Sequence, residues 1–165
     1  MGITTRTATR ADAAAISRIY NDGILDRVAT FETELRGPAD IEAWFAGDRV
    51  IVVAEDARTV IAFASTSPYR SRPCYAGVAE FSVYVGREVR GRGAGTQVML
   101  ALLDQAEAAG FWKLVSRVFL ENMASRALLR KVGFREVGIY EKHAQLDGVW
   151  RDVVIVERLL PANLD

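Results

Sequence analysis

The chain has 165 residues, half hydrophobic and a quarter charged, with 21 basic and 21 acidic side chains, which suits a single domain spanning 1–165 with a sizeable core. A formal net charge of zero argues against bulk attraction to nucleic acid or to an acidic membrane. One cysteine and one histidine exclude a disulfide framework and leave little for a zinc site, and no apolar run reaches membrane-spanning length or resembles a secretory leader, so a cytoplasmic, metal-free protein is the expectation.

Taken in order, residues 3–8 predict a short strand, and Thr9-Arg10-Ala11-Asp12 has the form of a capping box before a helix carrying Ala13, Ile16 and Tyr20. That helix is expected to stop near Gly23. Residues 24–37 have no clean period, and a second helix is expected at about 39–46. Two β-branched runs, 49–55 and 59–67, flank Asp56-Ala57-Arg58 and predict a hairpin. An arginine-tipped loop follows, Pro68-Tyr69-Arg70-Ser71-Arg72-Pro73, then a strand at 78–85 and a helix at 95–109 ended by Gly110. Residues 113–120 predict another strand, Asn122 caps a helix ending at Gly133, and strands at 134–142 and 149–159 are joined by 143–148. Helices scattered among many strands, three of them consecutive, point to a mixed sheet flanked by helices and not to a doubly wound parallel sheet.

The stretch 80–95 carries the chemistry. Glu80, Ser82 and Tyr84 share one face of its strand; Phe81, Val83 and Val85 share the other. From Thr96 the period becomes helical. Between them, Arg90-Gly91-Arg92-Gly93-Ala94-Gly95 offers approachable backbone N–H groups and the positive end of a helix, a site for an anion such as a pyrophosphate. The loop is neither the GxGxxG dinucleotide fingerprint nor a P-loop, and taken alone it is equally a glycine-rich turn.

Arg90-x-x-Gly93-x-Gly95, followed by Asn122-x-x-Ser125 and Gly133-Phe134, resembles the acetyl-coenzyme A signature and second helix of the GNAT acetyltransferases. Ile19-Tyr20-Asn21, Ala29-Thr30-Phe31-Glu32, Tyr69-Arg70-x-Arg72-x-x-Tyr75 and Gly148-x-Trp150-Arg151-Asp152-Val153 are similar to its phosphinothricin N-acetyltransferase branch. The strings from Cys74 to Phe81 and from Phe111 to Leu114 look like the enzymes of that branch that acetylate arsinothricin. The resemblance implies a GNAT fold of about seven mostly antiparallel strands and four helices. It also implies acetyl-coenzyme A as cosubstrate, a small amino-acid-like acceptor such as phosphinothricin, arsinothricin or methionine sulfoximine, antibiotic resistance, and a homodimer. Two alternatives stand beside it: a GNAT enzyme acting on protein N-termini, lysines or other amines, and a non-catalytic acetyl-coenzyme A-binding module.

The resemblance assigns coenzyme contacts to Val83, Tyr84, Val85, Arg90, Gly91, Arg92, Gly93, Ala94, Gly95, Thr96, Asn122 and Ser125. The backbone N–H groups near Val83 would hold the thioester carbonyl. Glu80 takes the role of general base, because a protonated amine cannot attack a thioester until a carboxylate or water accepts its proton. Arg70, Arg72, Tyr75, Phe31 and His143 are the candidate acceptor-binding residues, the arginines because their forks match carboxylates and tetrahedral oxyanions. Trp150 is read as a packing residue and Asp152 as structural. In one respect the chain departs from the family pattern. Leu129 stands where many members carry the tyrosine that protonates the departing thiolate, which leaves the general acid open between Tyr84, water and an unaided thiolate.

Overall fold

The structure is a computed structural model and describes residues 2–165. Strands β1 Thr4–Thr7, β2 Ile51–Asp56, β3 Thr59–Pro68, β4 Val78–Val85, β5 Lys113–Phe119, β6 Arg135–Leu146 and β7 Val149–Leu159 form one sheet in the order β1-β2-β3-β4-β5-β7-β6. Four helices cover it: α1 Ala13–Asp26, α2 Pro38–Glu42, α3 Ala94–Ala108 and α4 Met123–Lys131. Every pairing is antiparallel except β4 with β5. That exception follows from α3, which carries the chain from the end of β4 back to the start of β5, the crossover that a parallel pair requires. The mixed sheet expected from the element order is observed, and so is the mostly antiparallel pairing that the family resemblance implies.

Strand alternation sorts the side chains into two layers. Ala79 and Phe81 of β4, Leu114 and Val118 of β5, and Val98, Met99 and Leu102 of α3 form the larger core, which also takes in Leu129 of α4. On the opposite face, Val53 and Phe63 meet Ile16 and Ile19 of α1 and Ile41 of α2, and Tyr84 packs against them. Fully burying one such aliphatic or aromatic side chain stabilises the fold by about 1.5–3 kcal/mol, so these two layers hold α1 and α3 against the central strands.

The caps form where the sequence places them. Thr9 N–H donates to Asp12 Oδ2 over 2.8 Å, and Arg6 forks onto both oxygens of Asp12. Asn122 Oδ1 accepts from Ser125 N–H at the start of α4. Three expectations are corrected. Helix α1 runs past Gly23 to Asp26 and ends at Arg27, whose φ is 59°. Gly23 is there for close approach, since a Cβ would lie 2.7 Å from the Tyr84 ring. The second helix is α-helical only over Pro38–Glu42 and continues as a 3₁₀ turn over Ala43–Ala46. β6 does not stop at residue 142 but continues to Leu146 across an irregular register between Tyr140 and Ala144. The turn to β7 is only Asp147-Gly148, both at positive φ, as a tight hairpin needs. Asp152 is structural as expected, accepting the Lys142 N–H at 2.7 Å. Trp150, in contrast, is 55% exposed and packs into no core of this chain.

Candidate active site

β4 and β5 pair only from Val78–Lys113 to Glu80–Val115. Beyond that point β4 stays with β3 and β5 stays with β7, so a wedge opens in the middle of the sheet. The Ser116 hydroxyl donates to the Phe81 carbonyl over 3.0 Å at its apex, where the next ladder bond would lie. Gly86 N–H points to β3, bonding Ile61 O at 2.8 Å. By alternation the N–H groups of Val83 and Val85 then face the wedge, free of any strand partner.

Two cavities meet there. The larger, about 540 Å³, follows the wedge from the loop before α3 to the apex. The smaller, about 160 Å³, lies on the α1 side of the sheet, lined by Thr30, Phe31, Ser67, Glu80 and Phe119 among others. Ala29, Phe81, Ser82, Tyr84, Ser116 and Arg117 line both, so the two spaces adjoin at the apex.

The sequence-derived coenzyme residues fall on the larger cavity with one exception. Val83, Tyr84, Val85, Arg90, Gly91, Gly93, Ala94, Gly95, Thr96, Asn122 and Ser125 line it. Arg92 does not; its guanidinium pairs with Asp56 at the end of β2. The glycines have different tasks. Gly91 and Gly93 have φ of 82° and 87°, with open space where a Cβ would stand, and so turn their backbone toward the cavity. A Cβ on Gly95 would meet Leu128 at 2.9 Å and Val85 at 3.3 Å, so that glycine lets α3 close against β4 and α4. Arg90 and Arg87 both hydrogen-bond Asp26, tying the loop to the end of α1. Asn122 Nδ2 donates to Val28 O, which joins α4 to the segment after α1 across the cavity floor.

On the acceptor side, Glu80 and Phe31 line the smaller cavity. Glu80 Oε1 accepts from Arg117 Nη2 over 2.8 Å. Tyr84 is gripped between Tyr20 and Phe63, and burial pushes its phenol well above the ordinary value, so it stays protonated. Leu129 is buried and lines the larger cavity without a proton to give. Arg70, Arg72 and Tyr75 line neither cavity. They stand on the loop between Pro68 and Val78, which leaves β3 just after Ser67 and enters β4 just before Glu80. There Arg70 lies over the Tyr69 ring, and Tyr69 meets Tyr75 edge-on. His143 is exposed on β6 against Tyr140, away from both cavities. Sequence reasoning missed Arg117 and Ser116. The available signal was a serine and an arginine in the strand Lys113–Phe119, which is otherwise apolar after Lys113.

A wedge between two parallel strands, with a glycine loop and a helix start at its mouth, can hold an extended ligand bearing phosphates at one end. The pattern of the Acetyltransferase (GNAT) family matches residues 16–134, from α1 to the residue before β6. The chain belongs to the GNAT acetyltransferase family. The enzyme is 35% identical to the Bacillus subtilis protein YwnH, over 96% of this chain and 99% of that one. It is 32% identical to the L-methionine sulfoximine/L-methionine sulfone acetyltransferase of Pseudomonas aeruginosa, over 100% of this chain and 96% of that one. Among solved structures, a GNAT superfamily phosphinothricin acetyltransferase from Sinorhizobium meliloti in complex with acetyl-coenzyme A superposes with a TM-score of 0.89 at 32% identity, covering 97% of this chain and 89% of that one. The resemblance read from the loop and from the second helix is thereby confirmed at the level of family and activity: the protein is an N-acetyltransferase. Among the described residues no cluster of three or more His, Cys, Asp or Glu is arranged to hold a metal ion, and no helix is long and apolar enough to cross a membrane.

Proposed function

We propose that the enzyme transfers the acetyl group of acetyl-coenzyme A to the α-amino group of a small anionic amino acid of the phosphinothricin, arsinothricin or methionine sulfoximine type, and so confers resistance to it. The observation that carries this reading is the position of Glu80, on the wall of a small polar cavity that adjoins the larger one at the wedge apex. Relatives named for phosphinothricin and methionine sulfoximine support the acceptor class.

In this reading the loop from Arg90 to Gly95 and the start of α3 hold the pyrophosphate. The free N–H groups of Val85 and Val83 align the pantetheine arm and the thioester oxygen, and the Val83 N–H opposes the negative charge that grows there. Glu80 accepts the proton of the acceptor ammonium, directly or through one water. Leu129 cannot supply a proton to the departing sulfur, so the thiolate, a good leaving group with a pKa of about 8.5, leaves unaided or takes its proton from water or from Tyr84, which lines both cavities. Arg70 and Arg72, beside Tyr75 on the loop that leads into β4, meet a second acid group of the acceptor that reaches out of the small cavity; His143, away from both cavities, has no part in this reading. Val137, Ile139, Tyr140, Val149 and Trp150 are exposed on the β6–β7 hairpin at the sheet edge, spread over both of its faces, and this exposed apolar edge supports a homodimer. The expected location is the cytoplasm, where acetyl-coenzyme A is available.

The test is a panel. Purified enzyme is given acetyl-coenzyme A with phosphinothricin, arsinothricin, methionine sulfoximine, a polyamine and a protein substrate, and free thiol is followed. Thiol release with at least one of the amino-acid analogues is expected. Turnover only with the polyamine or the protein would overturn the proposal.

A further inference from the structure

We infer that Arg117 is the anchor for the acceptor's α-carboxylate, and that Glu80 and Arg117 together read the zwitterion of a free α-amino acid; this deepens the reading above and rests on it. The two residues come from neighbouring parallel strands. Glu80 pairs with Val115 in the register of β4 and β5, so Arg117 stands two residues further along, on the same face. Both line the small cavity, and Arg117 also borders the larger one where the two meet.

Their valences leave room for a ligand. Of the five N–H donors of Arg117, one is engaged by Glu80, and the side chain makes no other hydrogen bond among the described residues. Glu80 Oε2 accepts from no protein donor among them either, so a carboxylate oxygen and a guanidinium edge remain available side by side. An α-amino acid carries the inverse pattern, an ammonium and a carboxylate on one carbon. When it binds with its amine at Glu80 and its carboxylate at Arg117, each protein charge exchanges an opposite charge for another, and none is left uncompensated in a partly buried site. An amine with no adjacent carboxylate takes Glu80 and strands Arg117. That penalty falls on polyamines, lysine side chains and protein N-termini alike, and it makes the pair a filter for free amino acids. Arg70, on the loop before β4, remains for the side-chain acid group.

The experiment compares methionine sulfoximine with its α-carboxamide in wild type, Arg117→Gln and Arg117→Lys, by thiol release at saturating acetyl-coenzyme A. Because the Arg117 side chain is 47% exposed, its replacement opens no core, and a melting curve of each variant checks this. Wild type is expected to prefer the acid over the amide by about 30-fold or more in kcat/KM, the scale of a bidentate charge-assisted contact. Arg117→Gln should shrink that ratio to about threefold or less, and Arg117→Lys, which keeps the charge but not the fork, should fall between. A wild-type enzyme indifferent to the amide overturns the inference. So does an Arg117→Gln enzyme that loses activity on acid and amide alike with the ratio intact, because then Arg117 only positions Glu80. In both cases the amino acid is still acetylated and the proposed function stands. If wild type acetylates neither compound nor any other amino acid, but does acetylate another amine, that function falls and the inference with it.

Discussion

Glu80→Gln keeps the size of the side chain and its hydrogen bond to Arg117 but removes the proton acceptor. We expect kcat to fall by about 10²–10³-fold, the usual contribution of a positioned base, while the dissociation constant for acetyl-coenzyme A stays within about twofold, since Glu80 lies outside the coenzyme cavity. Equal losses in both quantities would make Glu80 a structural residue. Arg72→Ala should raise KM for a doubly acidic amino acid by about tenfold with little change in coenzyme affinity, as expected for one lost charged contact. An unmoved KM would remove Arg72 from acceptor binding, where its place on the loop outside both cavities already makes it peripheral. At this scale Glu80 was legible because the family resemblance points to that strand position and alternation puts it on the face opposite Phe81. Arg117 was not, because what stands across from Glu80 depends on the register of two strands separated in the chain by a helix.

The element that makes the site is the wedge, and its mouth depends on two left-handed glycines. Gly93→Ala forces a Cβ onto a residue at φ 87°, at a cost of about 1–2 kcal/mol. The loop should relax away from that geometry, and KM for acetyl-coenzyme A should rise about tenfold with KM for the acceptor unchanged. Gly95→Ala acts differently, by pushing α3 from Leu128 and Val85, and its signature is a lower melting temperature. The motif placed both glycines in one loop without telling these tasks apart. Gly23 was misread for a related reason. A glycine late in a helix looks like a stop signal, and only the Tyr84 ring arriving from β4 shows that it serves close approach.

For the whole molecule, four carboxylates contribute to an acid limit of stability. Hydrogen bonds from Arg6 hold Asp12 below its usual range, Arg126 does so for Glu136, and Lys113 with Arg135 for Glu157; Asp26, although partly desolvated, is held down by Arg90 and Arg87. All four pKa values are lowered on folding, so the unfolded chain takes up protons first as the pH drops. Their stabilisation is complete above the unfolded values and is lost as pH falls through the folded ones. Melting temperature should therefore be level on their account from about pH 8 to 6 and decline below about pH 4.5. A decline that begins near neutrality would assign the pH limit to other groups. The exposed apolar edge belongs to this scale too. Ile139→Glu should convert a dimer to a monomer in sedimentation velocity, and a wild-type monomer would show that the hairpin surface serves something else.

The sequence by itself determined the element order, through local periodicity, and the family, through the resemblance of short motifs, among them the loop proposed for the coenzyme, whose spacings survive without tertiary contacts. The tertiary structure alone decided that β4 and β5 part after Glu80, that Arg92 turns from the cavity to Asp56, and that Arg117 stands beside Glu80. Each is a relation between segments distant in the chain, set by register and packing across the sheet, and no single stretch carries it.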